Sequence, residues 1–222
     1  MNLLRIYRSV CRTARNHGSW PALYDVVMRT TNRWIYYKNL QCLIVESINT
    51  RSFDLPPGFR FLRLEEQALL DFSKDPANEL RPDFVRYALA KGDECYGIFE
   101  GDQLANYGWY SRKPTLMDNE ELFLHFDPQI VYMYKGFTLD RYRGLRLHAI
   151  SKTRALAEFL SRGSRGMVFY IESNNFNSIK SAYRMGARDC GRIRVVRLMG
   201  RYIVRVQSGC RQYGLTLNPN PA

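Results

Sequence analysis

The apolar and polar positions of this chain change period repeatedly, and each change marks a predicted element. Residues 58–64 (Gly-Phe-Arg-Phe-Leu-Arg-Leu) alternate apolar and basic side chains, as a half-buried strand does. Residues 65–72 and 82–90 carry apolar side chains at helical spacing. The β-forming runs 95–99 and 103–110 flank Glu100-Gly101-Asp102, which predicts a hairpin with a tight glycine turn. An extended apolar run covers 129–138. A helical pattern over 147–160 then places Leu147, Ile150, Leu156, Phe159 and Leu160 inward and stops at the Gly-rich 161–166. The short run 167–171 reads as a buried strand. Residues 172–178 supply turn and N-cap chemistry for a helix over 179–185, ended by Gly186. Alternating Arg and Val or Ile over 189–198 and 201–207 predicts a second hairpin around Met199-Gly200. From residue 58 the order is β α α β β β α β α β β.

Residues 1–57 read as a basic amphipathic helical extension with a linking strand. Leu3, Tyr7, Val10 and Ala14 form one helical stripe and Arg5, Arg8, Arg12 and Arg15 another. Ser19 is positioned to cap a second helix, in which Trp20, Leu23, Tyr24, Val27, Thr31 and Trp34 share a face. Residues 33–47 look extended. Both helices are expected to pack on the core, covering a sheet edge or a pocket. A basic amphipathic helix also suits docking on an anionic membrane surface or an acidic carrier protein, or a removed organellar presequence. Residues 58–215 then form the main domain, and 216–222 a flexible tail.

The most informative stretch lies between residues 137 and 150. A strand ends near Asp140-Arg141, a Gly-containing loop follows, and a helix begins near Leu147. A strand turning tightly into a helix exposes several backbone N–H groups at the positive end of the helix dipole, which makes an anion site. Arg141, Arg143 and Arg146 load the same loop with guanidinium groups, so a phosphate or pyrophosphate is the fitting guest.

Arg141-Tyr142-Arg143-Gly144-Leu145-Arg146 resembles the Gln/Arg-x-x-Gly-x-Gly/Ala signature of the GNAT acyl-CoA N-acyltransferase superfamily. Arg146 stands where a small residue is usual, a change the loop accommodates if φ there stays negative. A second block, Asn175-Phe176-Asn177-Ser178 with Gly186-Ala187 after a short helix, resembles the family's Asn-x-x-Ser/Ala and Gly-Phe pattern, with Ala187 in the place of Phe. The resemblance covers about residues 58–207. It implies a GNAT-like α+β fold with a mixed, mostly antiparallel central sheet flanked by helices. It also implies transfer of an acyl group, acetyl from acetyl-CoA or another acyl-CoA, to a primary amine by direct attack on the thioester. A longer acyl chain carried by CoA or acyl carrier protein, and a non-catalytic CoA-binding regulatory module, stand as alternatives.

By the same resemblance, backbone groups around Phe137, Thr138 and Leu139 would hold the pantetheine arm, and 129–138 would splay from 167–171 to admit it. Loop amides of Tyr142, Arg143, Gly144, Leu145, Arg146 and Leu147 would hold the pyrophosphate, with Arg141 reinforcing them. Asn175 and Ser178 would bond the arm from the other side. Tyr183 is the hydroxyl-bearing aromatic on the last helix, where the family often protonates the leaving thiolate, but it falls one position late, and one residue turns a helix by about 100°. Glu172 would act as base or pair with a nearby arginine. Tyr132, Tyr134 and His125 are further candidates, and His148 is expected to be structural.

Composition narrows the field. The chain has 222 residues, enough for a substantial single core. Its net charge of +12 is unevenly placed: sixteen Lys and Arg from residue 141 onward oppose only Glu158, Glu172 and Asp189. That basic half holds the expected coenzyme site, which suits a polyphosphate ligand, although an Arg-rich sheet face also serves solubility. Nucleic-acid binding would rest on charge alone, since no DNA- or RNA-reading motif is present. Five scattered cysteines without Cys-x-x-Cys spacing, and three distant histidines, predict reduced thiols, a cytoplasmic location and no bound metal. No apolar run approaches the roughly 18 residues of a membrane span. The acceptor, a small-molecule or peptide amine, and the oligomeric state are not encoded in any motif.

Overall fold

A computed structural model describes residues 3–117 and 121–219, and side chains within them other than those of 3–9 and 33–34. In chain order the elements are α1 (Leu3–His17), α2 (Ser19–Trp34), β1 (Tyr36–Val45), β2 (Phe59–Leu64), α3 (Glu66–Phe72), α4 (Pro82–Lys91), β3 (Glu94–Glu100) and β4 (Gln103–Ser111). They continue as β5 (Thr115–Leu116), β6 (Phe123–His125), β7 (Ile130–Thr138), α5 (Leu147–Ser161), β8 (Gly166–Glu172), α6 (Phe176–Arg184), β9 (Arg188–Leu198), β10 (Arg201–Val206), α7 (Ser208–Arg211) and β11 (Thr216–Asn218). The main sheet has the order β10-β9-β1-β8-β7-β4-β3-β2. All of its neighbours are antiparallel except β7 and β8. This is the mixed, mostly antiparallel α+β arrangement that the pattern predicts.

Helix α5 covers one face of the sheet. Its buried positions Ala149, Lys152, Leu156 and Phe159 recur at helical spacing and meet Leu43, Val131, Met133, Met167 and Phe169. The opposite face gathers Leu40, Ile44, Tyr132, Val168, Ile193 and Val195 around Leu215 and Leu217. Cys42, Cys190 and Cys210 lie in this second cluster as free thiols, and the bond from Cys210 pushes the Cys42 thiol well up.

Three expectations need correction. The stretch read as a linking strand, β1, is a central strand of the sheet, with β8 on one side and β9 on the other. Its buried polar residues Asn39 and Gln41 are bonded, to Tyr24 and to Tyr183 and Asp189, so a strand with polar positions survives at the centre. Gly18, not Ser19, occupies the α2 cap position, because φ +92 lets glycine make the turn out of α1. The face of α2 that packs is Ala22, Asp25 and Met28, while Trp20 (80% exposed), Leu23 and Val27 face outward. Bonds set that orientation: Asp25 accepts from Asn174 at 2.9 Å and pairs with Arg29, and Tyr24 meets the Ser173 hydroxyl at 2.7 Å. The predicted α1 stripe through Leu3, Arg5, Tyr7 and Arg8, and Trp34, falls outside the described side chains.

The tail is shorter than predicted. Thr216–Asn218 pairs with β6 as an edge of a three-stranded second sheet, and Leu217 is buried. Residues 220–222 lie outside the described part. The central place of β1 carries a test: Leu43→Ala, at a fully buried position, should lower unfolding free energy by about 2–5 kcal/mol in a denaturant titration. A peripheral strand would lose far less.

Candidate active site

β7 and β8 pair at only three positions, Ile130↔Gly166, Val131↔Met167 and Tyr132↔Val168, and then part. β7 stays on β4 and β8 stays on β1, so neither edge facing the gap has a strand partner. A bulge leaves Tyr134 unopposed between Lys135, which faces Trp109, and Met133, which faces Tyr110. The opening is a cleft of about 1020 Å³. It is lined by β7, β8, the loop before α5, the cleft-facing sides of α5 and α6, and residues of α1 and α2.

The loop end of the cleft is built from helix-start geometry. After a single 3-10 turn over Asp140–Tyr142, the chain takes φ +95 at Gly144 and φ +61 at Arg146, which caps α5. The amides of Tyr142 and Arg143 are already bonded to the carbonyls of Leu139 and Asp140, and Leu145 reaches back to Tyr142 at 3.5 Å. The amides of Gly144, Arg146, Leu147 and His148 have no acceptor among the described residues. The unbonded amides thus stand closer to the helix than the predicted 142–147, at one end of the cleft. Arg143 and Arg146 line its mouth with Arg12 and Arg29, while Arg141, Leu139 and Leu145 do not line the cleft. Arg141 instead donates to Gln103 at 3.0 Å and covers the Tyr142 ring.

The expectation of negative φ at Arg146 is overturned. The residue sits in the left-handed region, where an L side chain costs roughly 1–2 kcal/mol, and its guanidinium donates to the Arg51 carbonyl at 3.1 Å. The small residue usual at this place in the resemblance has the same physical reason.

Phe137 and Thr138 line the cleft, and both are held from behind. Asn106 donates to the Phe137 carbonyl at 2.6 Å and the Thr138 hydroxyl at 2.8 Å. Opposite them, Asn175 caps α6 by accepting from the Ser178 amide at 3.2 Å, its Nδ2 has no partner among the described residues, and Ser178 and Ser181 face the opening.

Two predicted proton-handling residues fare differently. Glu172 lines the cleft at the end of β8, but its partner is Lys38 of β1 rather than an arginine. Tyr183 lies outside: it is 44% exposed, accepts from Gln41 at 2.7 Å and stands near Asp189, while Ala182 takes the cleft-facing position one residue earlier. The single-residue displacement visible in the sequence turns the phenol away. Tyr134 also lines the cleft and donates to Asp93 at 2.8 Å. Burial raises its pKa far above the ordinary tyrosine value and so keeps it a phenol. Asp93 is itself paired with Lys91 at 2.9 Å. Tyr132 is buried in the cluster around Leu215 and Leu217 and does not line the cleft, and His125 belongs to the second sheet.

Several residues of the site carry no motif that assigns them to it. Asp25, Arg29, Arg12 and His17 reach it from α1 and α2, and His17 meets Asn177 at 2.9 Å. His148 and Lys152, one helical turn apart on α5, line its inner wall. Burial lowers His148 to about 3, with Lys152 adding to the effect, and lowers Lys152 to about 7. A signal for Lys152 existed: it interrupts the apolar spacing 149, 152, 156, 159.

No protein-family model and no curated protein matches the chain. Solved structures do. A GCN5-related N-acetyltransferase-like protein from Streptococcus suis 89/1591 superposes with TM-score 0.51 at 14% identity, over 86% of this chain and 69% of that one. A GNAT-family acetyltransferase from Colwellia psychrerythraea gives TM-score 0.50 at 14% identity, over 71% and 55%. A tandem GNAT protein from the clavulanic acid biosynthesis pathway gives TM-score 0.50 at 14% identity, over 78% and 56%. The fold is that of the GNAT acetyltransferases. The chain spans 55–69% of the lengths of these three relatives in fold. Among the described residues, no group of three or more His, Cys, Asp or Glu is placed to hold a metal, and no helix is long and apolar enough to cross a membrane.

The strain at Arg146 is measurable. Glycine usually destabilises relative to alanine, yet here Arg146→Gly should be more stable than Arg146→Ala by about 1 kcal/mol in paired thermal or denaturant melts. Equal stability, or the ordinary order, would place residue 146 outside the left-handed region.

Proposed function

We propose that this protein is an acyl-CoA-dependent N-acyltransferase acting on a primary amine, the acyl group being taken directly from the thioester. One observation carries the reading: unpaired amides at Gly144, Arg146, Leu147 and His148 stand at the mouth of a gap between two parted parallel strands. The amides, the α5 dipole and the arginines suit a pyrophosphate. The open strand edges suit the amide groups of a pantetheine arm, which can take the hydrogen bonds a neighbouring strand would otherwise make.

The acceptor amine would enter on the face of the gap that Tyr134, Tyr170 and Glu172 line. Its nitrogen, once neutral, attacks the thioester carbonyl carbon. The C–N bond forms, the C–S bond breaks, and the proton shed by nitrogen passes to the Glu172 carboxylate through water along the cleft. The departing thiolate takes a proton from solvent, because α6 presents Ala182 rather than a phenol to the cleft. That same absence favours a second reading, a CoA-binding module without turnover.

Two measurements separate these readings. Calorimetry with CoA should register binding that Gly144→Asp weakens at least about tenfold, because a carboxylate then sits beside the pyrophosphate subsite; unchanged affinity would remove the cradle assignment. Thiol release from acyl-CoA in the presence of primary amines should fall by about 10²–10⁴ in Glu172→Gln with CoA affinity retained. Binding without any amine-dependent thiol release would leave the binding-module reading in place.

A further inference from the structure

One group in the cleft has no role in the reaction as described. Lys152 is 7% exposed, and its ammonium lies 3.8 Å from the centre of the Phe169 ring. Among the described residues no carboxylate, carbonyl or hydroxyl bonds it. The other buried charges have a charged partner: Asp25 has Arg29, with Asn174 beside it, and Asp93 has Lys91, with Tyr134 beside it. An unpaired ammonium out of water is costly, so the empty site favours the neutral amine and an arriving anion restores its charge.

Its depth in the cleft decides which anion. The pyrophosphate cradle lies beyond Thr138, at the wide end of the gap. An arm lying along β7 from Thr138 down to Met133 covers about 17 Å at strand spacing. That brings its end to the point where the strands rejoin at Tyr132↔Val168. Met133 and Phe169 are the first residues past the junction, and Lys152 faces Phe169 there. The two sides of the junction differ. Tyr134, Tyr170 and Glu172 lie toward the amine entrance, whereas Met133, Phe169, Ala182 and Met185 lie toward α5 and α6, with Lys152 among them. An amine attacking from the first side drives the remainder of the acyl chain into the second.

We propose that Lys152 receives a carboxylate at the far end of the acyl chain, so that the preferred donor is a dicarboxylic acyl thioester of CoA rather than acetyl-CoA. This rests on the acyl-CoA reading above. Met133, Ala182 and Met185 give the methylene portion of such a chain an apolar wall, and Lys152 fixes its end. The empty amine is largely neutral above its lowered value of about 7. Docking of a carboxylate restores its charge, so at pH 8 binding should draw in close to one proton.

The test is calorimetry at pH 8, in two buffers of different ionisation enthalpy, with CoA, acetyl-CoA, malonyl-CoA, succinyl-CoA and glutaryl-CoA. The wild-type chain should bind at least one dicarboxylic thioester about tenfold or more tightly than acetyl-CoA, with proton uptake that acetyl-CoA lacks. In Lys152→Met, which removes an unpaired charge and whose folding is checked by a cooperative melt, that affinity ratio should fall to one or below and the uptake should vanish. Binding of CoA and acetyl-CoA with no dicarboxylic preference, or a preference that survives Lys152→Met, would overturn this inference and leave the acyl-CoA reading standing. No binding of any of the five would remove both.

Discussion

The site depends on two parallel strands that stop pairing. β7 and β8 share three residue pairs and then diverge, each still bonded along its outer edge. Backbone polar groups inside a protein are normally satisfied, so a gap at the centre of an eight-stranded sheet is kept open by construction rather than by accident. The bulge at Tyr134, the Asn106 bonds behind Phe137 and Thr138, and the Lys91–Asp93–Tyr134 chain all fix β7 in its diverging course. On the other side, β1 holds β8 in full register from Leu40 to Val45.

This gives the N-terminal segment a structural purpose that its composition hides. β1 fills the place between β8 and β9, and the helices before it deliver Arg12, Asp25 and Arg29 to the cleft. The segment is thus part of both the sheet and the site. Its outward residues, Trp20, Leu23 and Val27, are what remains of the apolar face read from the sequence.

Much of the architecture was legible because local signals agreed with tertiary ones. The strand over 129–138, the loop glycine at 144 and the helix from 147 each carry their own pattern, and the structure keeps all three. Legibility failed where a polar contact outweighed a pattern. α2 turns Asp25 inward because Asn174 and Arg29 meet it, and periodicity assigns that face to Trp20 and Leu23 instead. The central place of β1 is hidden in the sequence because Asn39 and Gln41 interrupt its apolar content, and their partners come from distant parts of the chain. Within the site, spacing on a helix decided the fate of Tyr183 and was visible beforehand; the positive φ of Arg146 was not, since an arginine gives no local hint of it.

The amides at the start of α5 are the point on which the functional account turns. Backbone amide resonances observed during titration with CoA address them individually. Gly144, Arg146, Leu147 and His148 should show the largest downfield shifts and slowed hydrogen exchange, as N–H groups that gain phosphate acceptors do, with Tyr142 and Arg143 changing little. Shifts confined to the exposed arginine-rich hairpin β9–β10, with these four amides unmoved, would contradict it.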